Sequence, residues 1–312
     1  MKKRFIITAV ILISAGILIF VGGLFAGGGL KPVQYDSTSY SVAEPFTEIC
    51  VDTHEMDVQL IPSSDGTCSV ACAETEKLHV NVSVEDGVLT VRTVDERTWV
   101  DRLIPHADQK LQIFLPQTAY DALSVESRTG DVQAPGEFTF ARVQIRCSTG
   151  DVTCGASASG PIEITTSTGA IAVESASAES LTLSVTTGRV TVRGTTVMGD
   201  ANVTVSTGRL LLSDVRCKNL VTTGSTGDVT MERVIVGETL SIKRSTGDVS
   251  MTECDAEELA IETDTGDVTG SLQSPKLFFV KSDTGKIDVP ETTSGGVCRI
   301  TTDTGNVRIT LP

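Results

Sequence analysis

Aromatic residues are scarce in this chain. They make up 4 % of 312 residues, with a single Trp. A carbohydrate-processing groove stacks sugar on aromatic rings and needs clustered carboxylates walled by loops, so this composition argues against one. Histidine is scarcer still. His54, His79 and His106 are scattered, and no Cys/His set has zinc-ligand spacing. Basic side chains are outnumbered, 25 Lys+Arg against 40 Asp+Glu, for a net charge of −15. That balance argues against nucleic acid, which requires a basic footprint, and against close binding to an anionic membrane surface. Beyond one N-terminal run, apolar residues do not recur at three-and-four spacing, so amphipathic helices are not expected. No residue set is assigned to a cofactor.

Cysteines number eight, without the spacing of a disulfide framework. Cys154 and Cys298 fall on the apolar register and Cys217 and Cys254 on a weaker one, as small buried hydrophobes do. Cys147 and Cys154 flank one turn and are the best disulfide candidates within the repeats. Cys68 and Cys72 share one strand face about 13 Å apart, too far to bond to each other. Either is able to meet Cys50 on a neighbouring strand, so pairing there stays open.

What the chain does have is a period. Ten Thr-Gly dipeptides recur at intervals of 19 or 20 residues, with glycines at Gly130, Gly150, Gly169, Gly188, Gly208, Gly227, Gly247, Gly266, Gly285 and Gly305. Two places after each Gly stands an apolar residue, from Val132 to Val307. Apolar residues also dominate five and seven places before it, and polar residues fill the gaps. This alternation is that of strands with one buried face. A weaker pair lies ten and twelve places before the Gly, as in Phe138 with Phe140 and Val215 with Cys217. Gly supplies the positive φ of a turn, and the preceding Thr is placed to stack on the Thr of the next coil and share hydroxyl hydrogen bonds with it. The predicted fold is all-β: a single-stranded β-solenoid of about ten coils over residues 123–312, a rod roughly 45–50 Å long at one strand spacing per coil.

The ends differ. Met1-Lys2-Lys3-Arg4 is a basic flank expected in the cytoplasm, and residues 5–25 lack any charge and are long enough for a transmembrane helix. A cleaved signal peptide is the competing reading, and its apolar region is ordinarily shorter. Residues 26–44 read as a tether. Residues 45–122 read as an irregular N-terminal β cap, with a hairpin turning at Glu85-Asp86-Gly87 and a further strand over residues 110–115. At the other end Pro312 is expected to blunt the last coil's edge.

Glu85-Asp86-Gly87-Val88-Leu89-Thr90-Val91, then Leu111-Gln112-Ile113-Phe114-Leu115-Pro116, then tandem Ser-Thr-Gly-Asp-Val units at 148–152, 225–229 and 245–249 form a familiar combination. Over residues 45–312 the chain resembles the bacterial "putative adhesin" β-strand-repeat family, a domain family of unknown function. The resemblance implies a single-stranded β-solenoid at the cell surface, tied in some relatives to envelope-stress circuits. It carries over no catalytic residue.

Two acidic columns are candidate sites. Asp228, Asp248 and Asp267 follow their glycines, and Asp264, Asp283 and Asp303 stand two places before theirs. Stacked carboxylates about 4.8 Å apart repel unless paired, protonated or bridged by a cation. Calcium is the sharper reading and solubility the plainer one. The calcium nonapeptide is absent, and Lys243, Arg244, Lys281, Lys286 and Arg308 are available to neutralise the columns, so no metal is assigned. Trp99 lies between Arg97 and Arg102 in a linker-like stretch, as part of a lid over the cap or of a partner-contact loop. The expected function is a non-catalytic cell-surface adhesin or binding module. Its partners are the bilayer through the N-terminal helix and a surface ligand, glycan or protein. An envelope-stress sensor acting through a membrane protein, with Gly16, Gly22 and Gly23 at the helix contact, is the alternative. A structural spacer is the third reading.

Overall fold

A computed structural model describes residues 36–98 and 109–312. Everything in them is β-strand and turn, and the strands build a β-solenoid of about ten turns. The segment 5–25 and Trp99 lie outside the described residues. Among the described residues no helix is long and apolar enough to cross a membrane.

Most repeats contribute a strand before Thr-Gly and a shorter one after it, while in three central repeats a single strand (Pro161–Glu174, Ser180–Arg193, Asp200–Ser213) runs through the bend. Equivalent residues of neighbouring repeats pair in parallel. The threonines align as Thr129, Thr149, Thr168, Thr187, Thr207, Thr226, Thr246 and Thr265. The residues five and seven before and two and four after the Gly point inward. In the second repeat these are Ile145, Val143, Val152 and Cys154, all at most 1 % exposed. Burying each large aliphatic side chain contributes about 1.5–3 kcal/mol, and the alternation gives each rung four inward positions, most of them filled by Val, Ile or Leu. The weaker apolar pair forms a third, narrow sheet from Ser177–Ala178, Thr196–Val197, Arg216–Cys217 and Ile235–Val236.

The N-terminal strands extend the stack. They are β1 (Asp36–Val42), β2 (Glu48–Thr53), β3 (Asp57–Pro62), β4 (Cys68–Glu74), β5 (Leu78–Glu85), β6 (Val88–Asp95) and β7 (Lys110–Leu115). β2 and β3 pair in parallel beneath the first repeat, and β6 and β7 beneath β2 and β3. β5 then folds back antiparallel on β6, turning through Asp86 (φ 50°) and Gly87 (φ 78°). β4 runs antiparallel to β7, and β1 to β4. The expected tether therefore stops short of residue 44. Thr38, Tyr40 and Val42 alternate inward in β1, and Tyr40 Oη donates to Glu74 Oε1 at 2.8 Å.

At the far end the rungs are not stacked in chain order. The strand Glu258–Thr265 pairs with Gly296–Thr304, and that strand in turn pairs with Lys276–Thr284. The last repeat is thus clamped inside the stack, and the penultimate one forms the terminal rung. Pro312 does not blunt the edge as expected, because the edge belongs to residues 276–288. The excursion is fastened by buried Lys276, whose Nζ lies 2.7 Å from Asp255 Oδ1.

Gly208 shows what the bend demands. Its φ is +141°, and a Cβ there would lie 1.6 Å from the Gly188 carbonyl oxygen. Gly66 also has positive φ, +74°, but its Cβ would meet nothing within 4 Å. Gly66→Ala is expected to cost about 1 kcal/mol, the conformational term alone. Gly208→Ala is expected to cost about 3 kcal/mol or more, because two rungs must part. Urea unfolding of the two variants measures this, and equal losses would refute it.

Among the described residues the core holds one fully buried guanidinium. Arg244 is 1 % exposed, three places before Gly247. It reaches across Gly224, whose Cβ would fall 1.7 Å from Arg244 Nη1, to donate to the Val205 carbonyl at 2.8 Å. Its Nε and Nη2 have no partner, and burial pushes its pKa down. A buried charge without a counter-charge is destabilising. Arg244→Met is therefore expected to leave the urea midpoint unchanged or raise stability by about 1–2 kcal/mol. A lowered midpoint would show that the guanidinium stabilises the stack.

Candidate functional site

The repeated feature that the solenoid presents to solvent is the ridge formed by its bends. In the three central rungs the ladder runs through the bend, pairing Gly169 with Gly188 and Gly188 with Gly208. In the other rungs the strand breaks after Thr-Gly, and three backbone groups at the bend need partners. The Gly N–H donates to the Thr carbonyl of the neighbouring rung, as from Gly227 to Thr246 at 2.8 Å. Where Ser or Thr stands three places before Gly, its hydroxyl can serve the Gly carbonyl of an adjacent rung, and four of them do. Ser282 Oγ donates to the Gly305 carbonyl at 2.8 Å, Thr302 to Gly266 at 3.2 Å and Thr166 to Gly150 at 3.3 Å. The hydroxyl contribution expected of the Thr before Gly is thus made by the inward residue two places earlier.

The third group is the N–H of the residue after Gly, and here the Asp column acts. Asp228 Oδ1 accepts from the Asp248 N–H at 3.2 Å, Asp248 Oδ1 from the Asp267 N–H at 2.8 Å, and Asp267 Oδ1 from the Asn306 N–H at 2.7 Å. Asn306 Oδ1 continues to the Lys286 N–H at 3.0 Å. A second chain runs from Asp57 through Asp131 and Asp151 to the Ala170 N–H. Each Asp offers an acceptor that the neighbouring backbone does not, and the stacked carboxylates are held apart by amide protons. Asp57 and Asn306 belong to these chains and were missed. Met56-Asp57-Val58 stands where later repeats have Gly-Asp-Val, and that echo was the available signal.

The second acidic column stacks in the order Asp264, Asp303, Asp283, because the rungs are permuted. Lys281 Nζ lies 2.8 Å from Asp283, Lys243 3.0 Å from Glu262 and Arg308 3.6 Å from Asp288. Arg244 neutralises nothing, since it points into the core. Among the described residues, no three Asp, Glu, His or Cys side chains converge as a metal site would require. The cysteines are all free thiols. Cys147 stacks between Ser127 and Thr166, with its pKa raised by burial to about 11. Cys154 stacks between Ala134 and Val173, with its pKa raised by burial to about 12. Each thus contacts its own column, and the expected bridge does not form. Cys50 faces outward on β2, whereas Cys68 and Cys72 are buried on β4, which does not pair with β2.

Two shallow depressions mark the ridge. One, of about 420 Å³, lies by Asp52, His54, Glu126, Arg128 and Arg146. The other, of about 370 Å³, is lined by Gly169, Ala170, Gly188, Arg189, Gly208 and Arg209. Here the column after Gly changes sign. Arg189 and Arg209 are register partners with exposed side chains, set between the two acidic chains. Near the first bend Arg97 Nη2 lies 2.6 Å from Glu55 Oε2.

The family model for Toastrack DUF4097 matches residues 46–216 and again 197–312. The chain belongs to the Toastrack DUF4097 family. Among solved structures it is similar to a "putative adhesin" of Parabacteroides distasonis, at 15 % identity and TM-score 0.49, covering 89 % of this chain and 98 % of that one. It is also similar to a "putative adhesin" of Bacteroides fragilis, at 14 % identity and TM-score 0.42, covering 89 % and 97 %. A "putative lipid binding protein" of Parabacteroides distasonis matches at 12 % identity and TM-score 0.49, covering 88 % and 97 %. No curated protein matches the chain. The Toastrack repeats of this chain are the rungs described above, and their Asp acceptors are testable as structural groups. Asp248→Ala is expected to lower stability by roughly 1 kcal/mol by orphaning the Asp267 N–H, whereas Asp248→Asn leaves the urea midpoint unchanged. Calcium that stabilised the parental protein but not the Asn variant would make the column a cation site instead.

Proposed function

We propose that this Toastrack protein is a non-catalytic cell-surface binding module, an adhesin. On this reading residues 5–25 anchor it in the bilayer, the basic flank lies in the cytoplasm and the solenoid lies outside. The observation that carries the reading is the uniformity of the ridge. Register runs through the bends with a period of 19 or 20 residues, giving an extended surface for an extended ligand. Along it the basic pair Arg189 and Arg209 is the place where a net-acidic protein attracts an anionic polymer.

The test is capture by the full chain in detergent micelles. The panel holds teichoic acid, peptidoglycan fragments and a neutral glycan, alongside solubilised membrane from the same cells. Teichoic acid is the expected capture, weakened about tenfold by Arg189→Glu with Arg209→Glu. Capture of membrane proteins alone would replace the adhesin with an envelope sensor acting through a membrane partner.

A further inference from the structure

The two ends of the rod are finished differently. At the N-terminal end the antiparallel strands β4 and β5, with β1 on β4, cover the last parallel rung. At the other end the strands Lys276–Thr284 and Ile287–Asp288 each pair on one side only among the described residues. A long, regular edge strand presents unpaired N–H and C=O groups and is a template for another strand.

The inward positions of this rung are not closed off. In the neighbouring rung Cys298, Ile300, Val307 and Ile309 are at most 2 % exposed. Their counterparts Phe278, Val280 and Val289 are only half-buried, and Ile287 is 47 % exposed. Phe279, on the outer face, is 54 % exposed beneath the Arg299 guanidinium. Two of the four exposed large apolar side chains among the described residues therefore sit on this one rung.

The charge pattern says what the edge accepts. The rest of the chain is strongly acidic, yet on the exposed part of this rung two lysines (Lys281 and Lys286) balance two aspartates (Asp283 and Asp288), Lys276 being buried against Asp255. This end does not repel a copy of itself as the remainder of a −15 chain does. On the outer face Lys281 and Asp283 stand two residues apart. An antiparallel pairing about a two-fold axis through Ser282 sets Lys281 opposite Asp283 of the second chain, and Asp283 opposite its Lys281. The same register sets Val280 opposite Thr284, keeping inward positions inward. Lys281 and Asp283 already contact each other at 2.8 Å, but both are largely exposed, so exchanging that contact for two between chains costs little.

We propose that the terminal rung, residues 276–288, joins the same rung of a second copy tail to tail by antiparallel strand pairing. The chain enters the rod at β1, on the opposite end. For a protein anchored through residues 5–25, the contact would therefore join two rods on facing surfaces. That consequence rests on the surface reading above, whereas the pairing itself does not.

Sedimentation of the full chain in detergent micelles tests the pairing, with Lys281→Asp and Asp283→Lys as probes. The first variant makes the edge acidic and the second makes it basic. Both positions are exposed, and an unchanged urea midpoint confirms the fold. The parental chain is expected to form a reversible dimer at micromolar concentration, and each variant alone to associate about tenfold more weakly. An equimolar mixture of the two is expected to recover the parental affinity as a heterodimer. A parental chain that stays monomeric overturns the proposal. So does association indifferent to both substitutions, which would place the contact elsewhere, or a mixture that fails to recover. Ligand capture by the parental chain is scored separately, so loss of the adhesin reading leaves this result standing, and the reverse.

Discussion

The close approach of successive bends is the constraint on which the rest of this structure depends. At each Thr-Gly the carbonyl of one rung occupies the space that the next rung's Cβ would need, down to 1.6 Å at Gly208. Only glycine permits that approach, and outside the three central rungs the corner leaves backbone groups out of the ladder. The motif supplies the replacements. A hydroxyl three places before Gly serves the carbonyl, and the residue after Gly serves the next N–H. A hydroxyl before Thr-Gly and an Asp after it are thus hydrogen-bonding devices for a corner, used in some rungs and not in others, and the recurrence of Thr-Gly itself at 19 or 20 residues follows from the perimeter of one rung. Selection for chemistry at any single copy is not needed to explain it.

This explains why so much of the fold could be read from the sequence. Alternation placed the inward face, from Val143 and Ile145 to Val152, because a strand in a parallel stack contacts the same column in every rung. The hairpin at Asp86-Gly87 and the strand over residues 110–115 are local signals and were legible for that reason. Rung order was not legible. A repeat at position 296–310 fits beside 258–272 as well as beside 276–288, since all three carry the same pattern. What decides is the excursion, with Lys276 against Asp255 and Thr292 Oγ1 on the Lys276 carbonyl. Nothing periodic announces it. The role of the Asp column was hidden for a related reason: its partner is a backbone N–H, which has no letter in the sequence.

The inward column three places before Gly shows how far a solenoid tolerates local exceptions. It runs Ser127, Cys147, Thr166, Val185, Val205, Gly224, Arg244, Thr263. The Thr166 and Thr263 hydroxyls bond to the bend, valines pack, and Gly224 with Arg244 forms a single unit in which one rung surrenders its side chain to make room for the next. In a globular core an unpaired guanidinium disturbs everything around it. Here each rung meets only its two neighbours, so the cost stays local and the stack continues on either side.

The same nearest-neighbour logic makes the ends the places where this molecule is decided. An interior rung is saturated above and below, and its outer face is a repeated row of short polar side chains. A terminal rung has one unsaturated edge and inward residues with nothing to cover them. At one end the chain spends strands β1, β4 and β5 on that problem, reversing strand direction so that the parallel ladder stops. At the other it tucks its final repeat inside the stack and leaves an earlier one outermost. Burying the last repeat secures the tail against fraying, but it only moves the open edge onto residues 276–288. A rung with balanced charge at the end of an acidic rod lacks the repulsion that would keep copies apart, and its strand geometry suits a two-fold partner. The end of the rod is therefore the surface on which the physics of the repeat leaves the most undone.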